Sequence, residues 1–146
     1  PTTVATDAKA FVSFLDSQAA VDKKKKIGTM GYCMSGPYTI RTAATIPDRV
    51  AAGASFHGGG LVTKNPDSPH LLSTKAQFLF AIAENDDKTD PDAKTVLKDT
   101  FKTNAEVAVY TGAAHGWTVP DSAVYNEPMA EKAWARMLEL FKKQLA

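Results

Sequence analysis

Apolar positions recur along the chain with two periods, and the alternation between them sets out the elements. Val4, Ala8, Phe11 and Leu15 fall three or four residues apart, with Thr6 or Asp7 available as a cap, so the segment to about Gln18 predicts a helix whose apolar stripe packs on a sheet. Ile27 to Tyr32 predicts a strand, and Pro37 falls in the first turn of a following helix that ends near Pro47. Val50 to Phe56 predicts a second strand, closed by His57 and three glycines. Lys64 to Pro69 is polar and punctuated by proline, so Leu61 to Ser73 predicts a surface loop. Ala76 to Ala83 is almost continuously apolar, as a strand covered on both faces would be, and it runs into a polar turn at Glu84, Asn85, Asp86 and Asp87.

Pro91 and Asp92 begin another helix, with Ala93, Val96, Leu97 and Phe101 on one side. Glu106 to Tyr110 predicts a fourth strand, followed by a turn at Gly112 to Trp117. A last helix starts near Asn126 and Pro128 and lines up Ala130, Ala133, Trp134, Met137, Leu138 and Phe141. Strand and helix thus alternate four times, which predicts the α/β class, with a parallel sheet flanked by helices and joined by right-handed crossovers.

Within this frame the stretch IGTMGYCMSGPYTIRTAAT, Ile27 to Thr45, carries the candidate chemistry. A reactive side chain at a sharp strand-to-helix turn adopts strained backbone angles and needs small residues two places before and after it. Gly31 and Ser35 fill those places around Cys33. The turn also sets the sulfur near a helix N-terminus, which favours the thiolate. A lone cysteine is more often a buried small hydrophobe, and the elbow is what argues for a nucleophile. Ser35 offers a rival parse, against which stands Pro37, a poor neighbour for a turn whose following amides must donate.

Ligands of open parallel sheets bind beyond the carboxyl ends of the strands, and there the order nucleophile, acid, histidine is met by residues that follow three different strands. Cys33 follows the first strand, the carboxylates Glu84, Asp86 and Asp87 the third, and His115 the fourth. His115 would accept the thiol proton and later activate water, in a tight loop made by Gly112, Ala113, Ala114 and Gly116. His57 follows a strand and reads as a hydrogen-bonded structural histidine, while His70 has no such setting. The Met34 N–H, next after the nucleophile, is placed to serve an oxyanion hole. Tyr32, Trp117 and Tyr125 read either as walls of an apolar pocket or as core.

Composition narrows the remaining classes. A chain of 146 residues with 44% hydrophobic residues suits one domain. A net charge of +1 gives no field for nucleic acid or an anionic membrane, and the run Lys23 to Lys26 reads as a solvated connection. One Cys excludes an internal disulfide and suits a reducing compartment, so the cytoplasm is the expected location; no apolar stretch is long enough to cross a bilayer. One Cys and three widely separated His lack ligand spacing, and Gly58 to Gly60 lack a phosphate-loop lysine, so neither metal nor organic cofactor is expected.

The motifs GYCMSG, SFHGG at Ser55 to Gly59, AEND at Ala83 to Asp86 and GAAHGW at Gly112 to Trp117 together resemble the dienelactone hydrolases (carboxymethylenebutenolidases), which are α/β-hydrolases. The resemblance runs from the first helix onward. It implies hydrolysis of a small-molecule ester or lactone through a cysteinyl acyl-enzyme, and it singles out Asp86 as the partner of His115. It also implies that the first strands of the fold precede this chain, which starts at Pro1 and within a few residues enters an amphipathic helix; the expectation is the C-terminal part of a larger protein, one partial α/β-hydrolase domain whose leader sequence could have been lost. The second oxyanion donor and the acidic residue that such enzymes set against the resting cysteine would lie in that earlier part. So would one substrate-binding arginine. The other is expected four residues after the histidine, where this chain has Val119, and Gly116 stands where a small hydroxyl residue is expected. A carboxylated substrate is therefore not required, and a neutral ester or lactone fits as well. The alternative is a non-catalytic module, inactive until an N-terminal half or a second chain covers the edge of the elbow strand.

Overall fold

The structure, a computed structural model, describes residues 2–146. Its elements run α1 (Thr2–Ser17), β1 (Ile27–Tyr32), α2 (Gly36–Thr45), β2 (Val50–Phe56), β3 (Gln77–Ala83), α3 (Glu84–Thr89), α4 (Ala93–Phe101), β4 (Ala105–Tyr110) and α5 (Glu127–Leu145). The four strands form one parallel sheet in the order β1-β2-β3-β4, as the strand–helix alternation predicts. Each crossover returns the chain to the same end, so all carboxyl ends lie together.

The sheet is covered on both faces because side chains of a strand alternate. On β3, Phe78 and Phe80 join Ile40, Val50, Leu97 and Phe101 under α2 and α4. Leu79, Ala81 and Ala83 join Phe56, Tyr110, Trp117, Ala133 and Met137 under α5. Full burial of a side chain such as Phe80, Leu97 or Phe78 stabilises by about 1.5–3 kcal/mol. These two apolar layers hold the rear of the site rigid.

Four expectations are corrected. The stripe of α1 does not pack on the sheet: α1 lies on α2, buries Ala8 and leaves Phe11 and Phe14 about 70% exposed. Its outer end is tied to the body instead by Asp16, which pairs with Arg49 at 2.5 Å. The segment Leu61 to Ser73 is a surface loop only in the middle, since Leu61, Ser68 and His70 are buried and residues 69–71 form a 3-10 turn. Ser68 Oγ and His70 Nδ1 pair at 2.7 Å, which satisfies both inside the fold. The polar turn after β3 is a short helix, α3, opened by three carboxylates that suit a helix N-terminus. On α5, Ala130, Ala133, Met137 and Phe141 face the core as the stripe predicts, but Trp134 and Leu138 are exposed, and Met129 and Leu140 pack toward the core in their place. The run Lys23 to Lys26 is exposed, consistent with a solvated connection.

Candidate active site

Cys33 directly follows β1, at the bend that leads into α2. Its φ is 50°, left-handed for a residue that carries a Cβ, and this strain swings the side chain out of the sheet to an exposed position. Two residues close the bend. A Cβ on Gly31 would lie 2.2 Å from the Ser35 carbonyl oxygen, so only glycine allows the turn to fold back so tightly. Ser35 accepts the Tyr32 N–H at 2.8 Å and donates its own hydroxyl proton to the Tyr32 carbonyl at 2.7 Å. That clasp occupies the hydroxyl of the rival elbow. A further bond ties the bend to the glycine loop after β2, the Gly59 N–H donating to the Cys33 carbonyl at 3.2 Å.

His115 reaches the sulfur from the loop after β4. Its Nε2 lies 3.1 Å from Cys33 Sγ, and its Nδ1 lies 2.8 Å from Asp86 Oδ2. Gly112 and Gly116 take φ of 82° and 92°, which lets the loop turn back over the sheet end. The three carboxylates after β3 that composition leaves open are separated by their partners. Glu84 receives the Gly112 N–H at 2.6 Å and Lys88 at 2.6 Å, Asp87 takes Lys94 at 2.7 Å, and Asp86 alone of the three faces the imidazole. Asn85 was not singled out by sequence reasoning, yet its Oδ1 accepts the His115 backbone N–H at 2.8 Å. Its place inside the AEND motif was the only signal that could have found it.

The electrostatics follow from these contacts. The hydrogen bond from His115 holds the Cys33 thiol below its ordinary pKa, aided by the Met34 N–H and opposed by partial burial. Burial alone would depress the His115 imidazole, but its bonds to Cys33 and Asp86 outweigh that and raise it. A proton is therefore drawn from sulfur toward nitrogen. His57 completes the surround: it is buried, its ring is 4.8 Å from that of His115, and its Nε2 pairs with Thr118 Oγ1 at 2.9 Å. Burial first, then the neighbouring His115, pushes its pKa down to about 4, so a neutral ring stands beside the imidazole.

A family model for the dienelactone hydrolase family matches residues 1–145. The chain belongs to the dienelactone hydrolase family. Among its relatives, the protein named Protein usf of Aquifex pyrophilus is 30% identical over 143 residues, covering 94% of this chain and 59% of the relative. A carboxymethylenebutenolidase homolog of Xenopus tropicalis is 27% identical over 151 residues, covering 99% and 58%. In three dimensions, a dienelactone hydrolase-like promiscuous phosphotriesterase from metagenomic libraries superposes with a TM-score of 0.80 at 22% identity, over 98% of this chain and 62% of that one, a likeness of fold. The chain spans between 44% and 60% of the length of these curated relatives.

For this member of the dienelactone hydrolase family the pocket residues separate. Tyr32 and Tyr125 line a cavity of about 120 Å³ together with Phe56, Thr118, Glu131 and Trp134. Trp117, expected as a third wall, is fully buried, stacked on Tyr110 at 5.3 Å and edge-on to His57 at 5.2 Å; it is core that supports the histidine loop from beneath. Val119 is exposed and Gly116 has no side chain, so neither of these two positions offers a charge to a substrate carboxylate. A second cavity, of about 190 Å³, borders Asp86 behind the Gly58 to Gly60 loop.

Proposed function

We propose that the chain hydrolyses an ester or lactone through a covalent acyl-enzyme on Cys33, with His115 as base and acid and Asp86 as its orienting carboxylate. What supports this most directly is the unbroken line of contacts, 3.1 Å from sulfur to Nε2 and 2.8 Å from Nδ1 to carboxylate. His115 takes the thiol proton as Sγ bonds to the substrate carbonyl carbon, and the Met34 N–H faces the oxygen that becomes negative. Collapse of the adduct breaks the carbon–oxygen bond, and His115 returns the proton to the leaving alkoxide. Water, deprotonated by the same ring, then attacks the thioester, releasing the acid and restoring the thiol. Asp86 holds the Nδ1–H tautomer throughout. The protons of each step are carried by His115, and the steps need neither metal nor cofactor.

The test is hydrolysis of an activated acyl ester before and after alkylation, beside Cys33→Ala, His115→Ala and Ser35→Ala. Rates unchanged by alkylation and by both triad substitutions would end the proposal. Loss only in Ser35→Ala would transfer the role to the serine.

A second reading concerns what stands beside β1. It is the end strand of the sheet among the described residues, with Met30 40% and Met34 70% exposed. An uncovered strand edge invites pairing, so we propose that another segment or a second chain covers it, and that the module is fully active only then. Sedimentation of the purified protein decides the matter: a well-folded monomer of 15.6 kDa with full activity would refute it. An exposed thiol that works as a nucleophile belongs in a reducing compartment, which is why we assign the protein to the cytoplasm. No helix among the described residues is long and apolar enough to cross a membrane.

A further inference from the structure

The cavity of about 120 Å³ beside the elbow has a composition that suits one kind of substrate. Its aromatic walls are Tyr32, Tyr125 and Trp134, and its one charged group is the carboxylate of Glu131. No lysine or arginine lines it. Tyr32 is the residue immediately before Cys33, and its ring is fixed by stacking on Phe56 at 5.0 Å and 17°. Thr118 reaches the cavity from three residues after His115. The walls are thus continuous in sequence with both the nucleophile and the base.

Two residues of α5 are not taken up by the core or by the ion pairs of the fold. Trp134 is 41% exposed although it is the larger of the apolar side chains on its turn, and Glu131 makes no ion pair or hydrogen bond among the described residues. Three residues apart on one helix, they project side by side. Ring faces are electronegative and attract a cation within about 6 Å, the more so where water is partly excluded. An unpaired carboxylate at the rim adds an attraction of the same sign and repels an anion. A neutral ligand would gain from neither. The cavity has room for a trimethylammonium-sized head.

We propose that this pocket selects esters whose alcohol or acyl part carries an alkylated ammonium group, held between Tyr32, Tyr125 and Trp134 with Glu131 as counter-charge. The inference rests on the ester hydrolysis proposed above and specifies its substrate class.

The experiment compares kcat/KM for acetylcholine, its uncharged isostere 3,3-dimethylbutyl acetate, and an acetate of a carboxylated alcohol of equal length. Acetylcholine should exceed the isostere by about tenfold, with the anionic ester slowest. Glu131→Gln and Trp134→Leu should each bring the first ratio to within about twofold. A ratio is independent of how much of a variant folds. In parallel, binding of tetramethylammonium chloride to Cys33→Ala is followed calorimetrically, with and without Glu131→Gln. Binding that the second substitution abolishes supports the pocket even if no ester is cleaved, and in that case only the hydrolase reading fails. Ester cleavage with equal rates for acetylcholine and its isostere, or no tetramethylammonium binding, overturns the pocket and leaves the hydrolase reading standing.

Discussion

Asn85 holds the backbone of His115 while its neighbour Asp86 holds the ring. The Asn85 Oδ1 accepts the His115 N–H at 2.8 Å, and the Asp86 Oδ2 lies 2.8 Å from Nδ1. Two adjacent residues at the start of α3 therefore fix both the position of the histidine and the direction of its imidazole, each through a separate bond. Glu84 adds a third tie, to the Gly112 N–H at the other end of the same loop.

The division of labour predicts different losses. Asp86→Asn should cut kcat by a factor of about 10²–10⁴, because an amide in place of the carboxylate can stabilise the wrong tautomer and cannot balance an imidazolium. Asn85→Ala should cost about tenfold in kcat with little change in KM, since the ring keeps its partner and only its placement loosens. Asp87→Asn serves as the comparison: it breaks the pair with Lys94, and the rate should stay within about threefold. Steady-state kinetics on one activated ester checks all three. An Asp87→Asn loss as large as that of Asp86→Asn would reverse the assignment.

The sulfur should betray its partner chemically. A thiol whose pKa is lowered becomes thiolate at lower pH, so the rate of Cys33 alkylation should rise with a midpoint below the ordinary value of about 8.5. The largest cause is the hydrogen bond from His115, and its removal in His115→Ala should move the midpoint upward. Iodoacetamide kinetics between pH 5 and 10 give the answer directly, and identical midpoints would show that the 3.1 Å contact does not operate in solution.

At the bend itself the prediction is steric. A Cβ on Gly31 meets backbone atoms of Ser35 at 2.2 Å and 2.7 Å, which cannot move aside as a flexible side-chain tip could. Gly31→Ala should therefore open the elbow, costing about 2–4 kcal/mol of stability and most of the activity. Ser35→Ala removes only the clasp on Tyr32, at about 1–2 kcal/mol. Thermal and urea unfolding of the two variants rank the effects, and equal stabilities would show that the turn is looser than its contacts imply.

The strands were legible because each is a short apolar run closed by glycine or a polar cluster, and the elbow was legible because Gly31, Cys33 and Ser35 stand at the spacing its strain demands. What pattern could not give was pairing. Glu84, Asp86 and Asp87 are chemically alike in sequence, and only three-dimensional proximity distributes them among Gly112, His115 and Lys94. Periodicity also misassigned exposure at two helices. Phe11 on α1 and Trp134 on α5 keep helical spacing with buried neighbours, yet both face outward, because spacing fixes which residues share a face and not what lies against it. Trp117 was left open between pocket wall and core by its pattern, and the fold decides for core: two residues after His115, it is wedged beneath the loop.

His57 couples the site to the stability of the whole fold. Its pKa is about 4 in the folded chain, against about 6.5 when unfolded, so between those values the unfolded chain binds more protons. Stability contributed by the neutral buried ring is complete above about pH 6.5 and is lost as pH falls, by about 3 kcal/mol at pH 4. His115 works in the opposite sense: its folded pKa is raised, so its contribution is present below about pH 6.5 and fades as pH rises through the folded value. Comparison with His57→Gln isolates the first effect, because His115 remains in both proteins. Urea midpoints at pH 7 and pH 4 should show the native protein losing about 3 kcal/mol more than the variant over that interval. A difference that does not change with pH would mean that His57 is free to take a proton in place, and that the ring facing His115 is not held neutral.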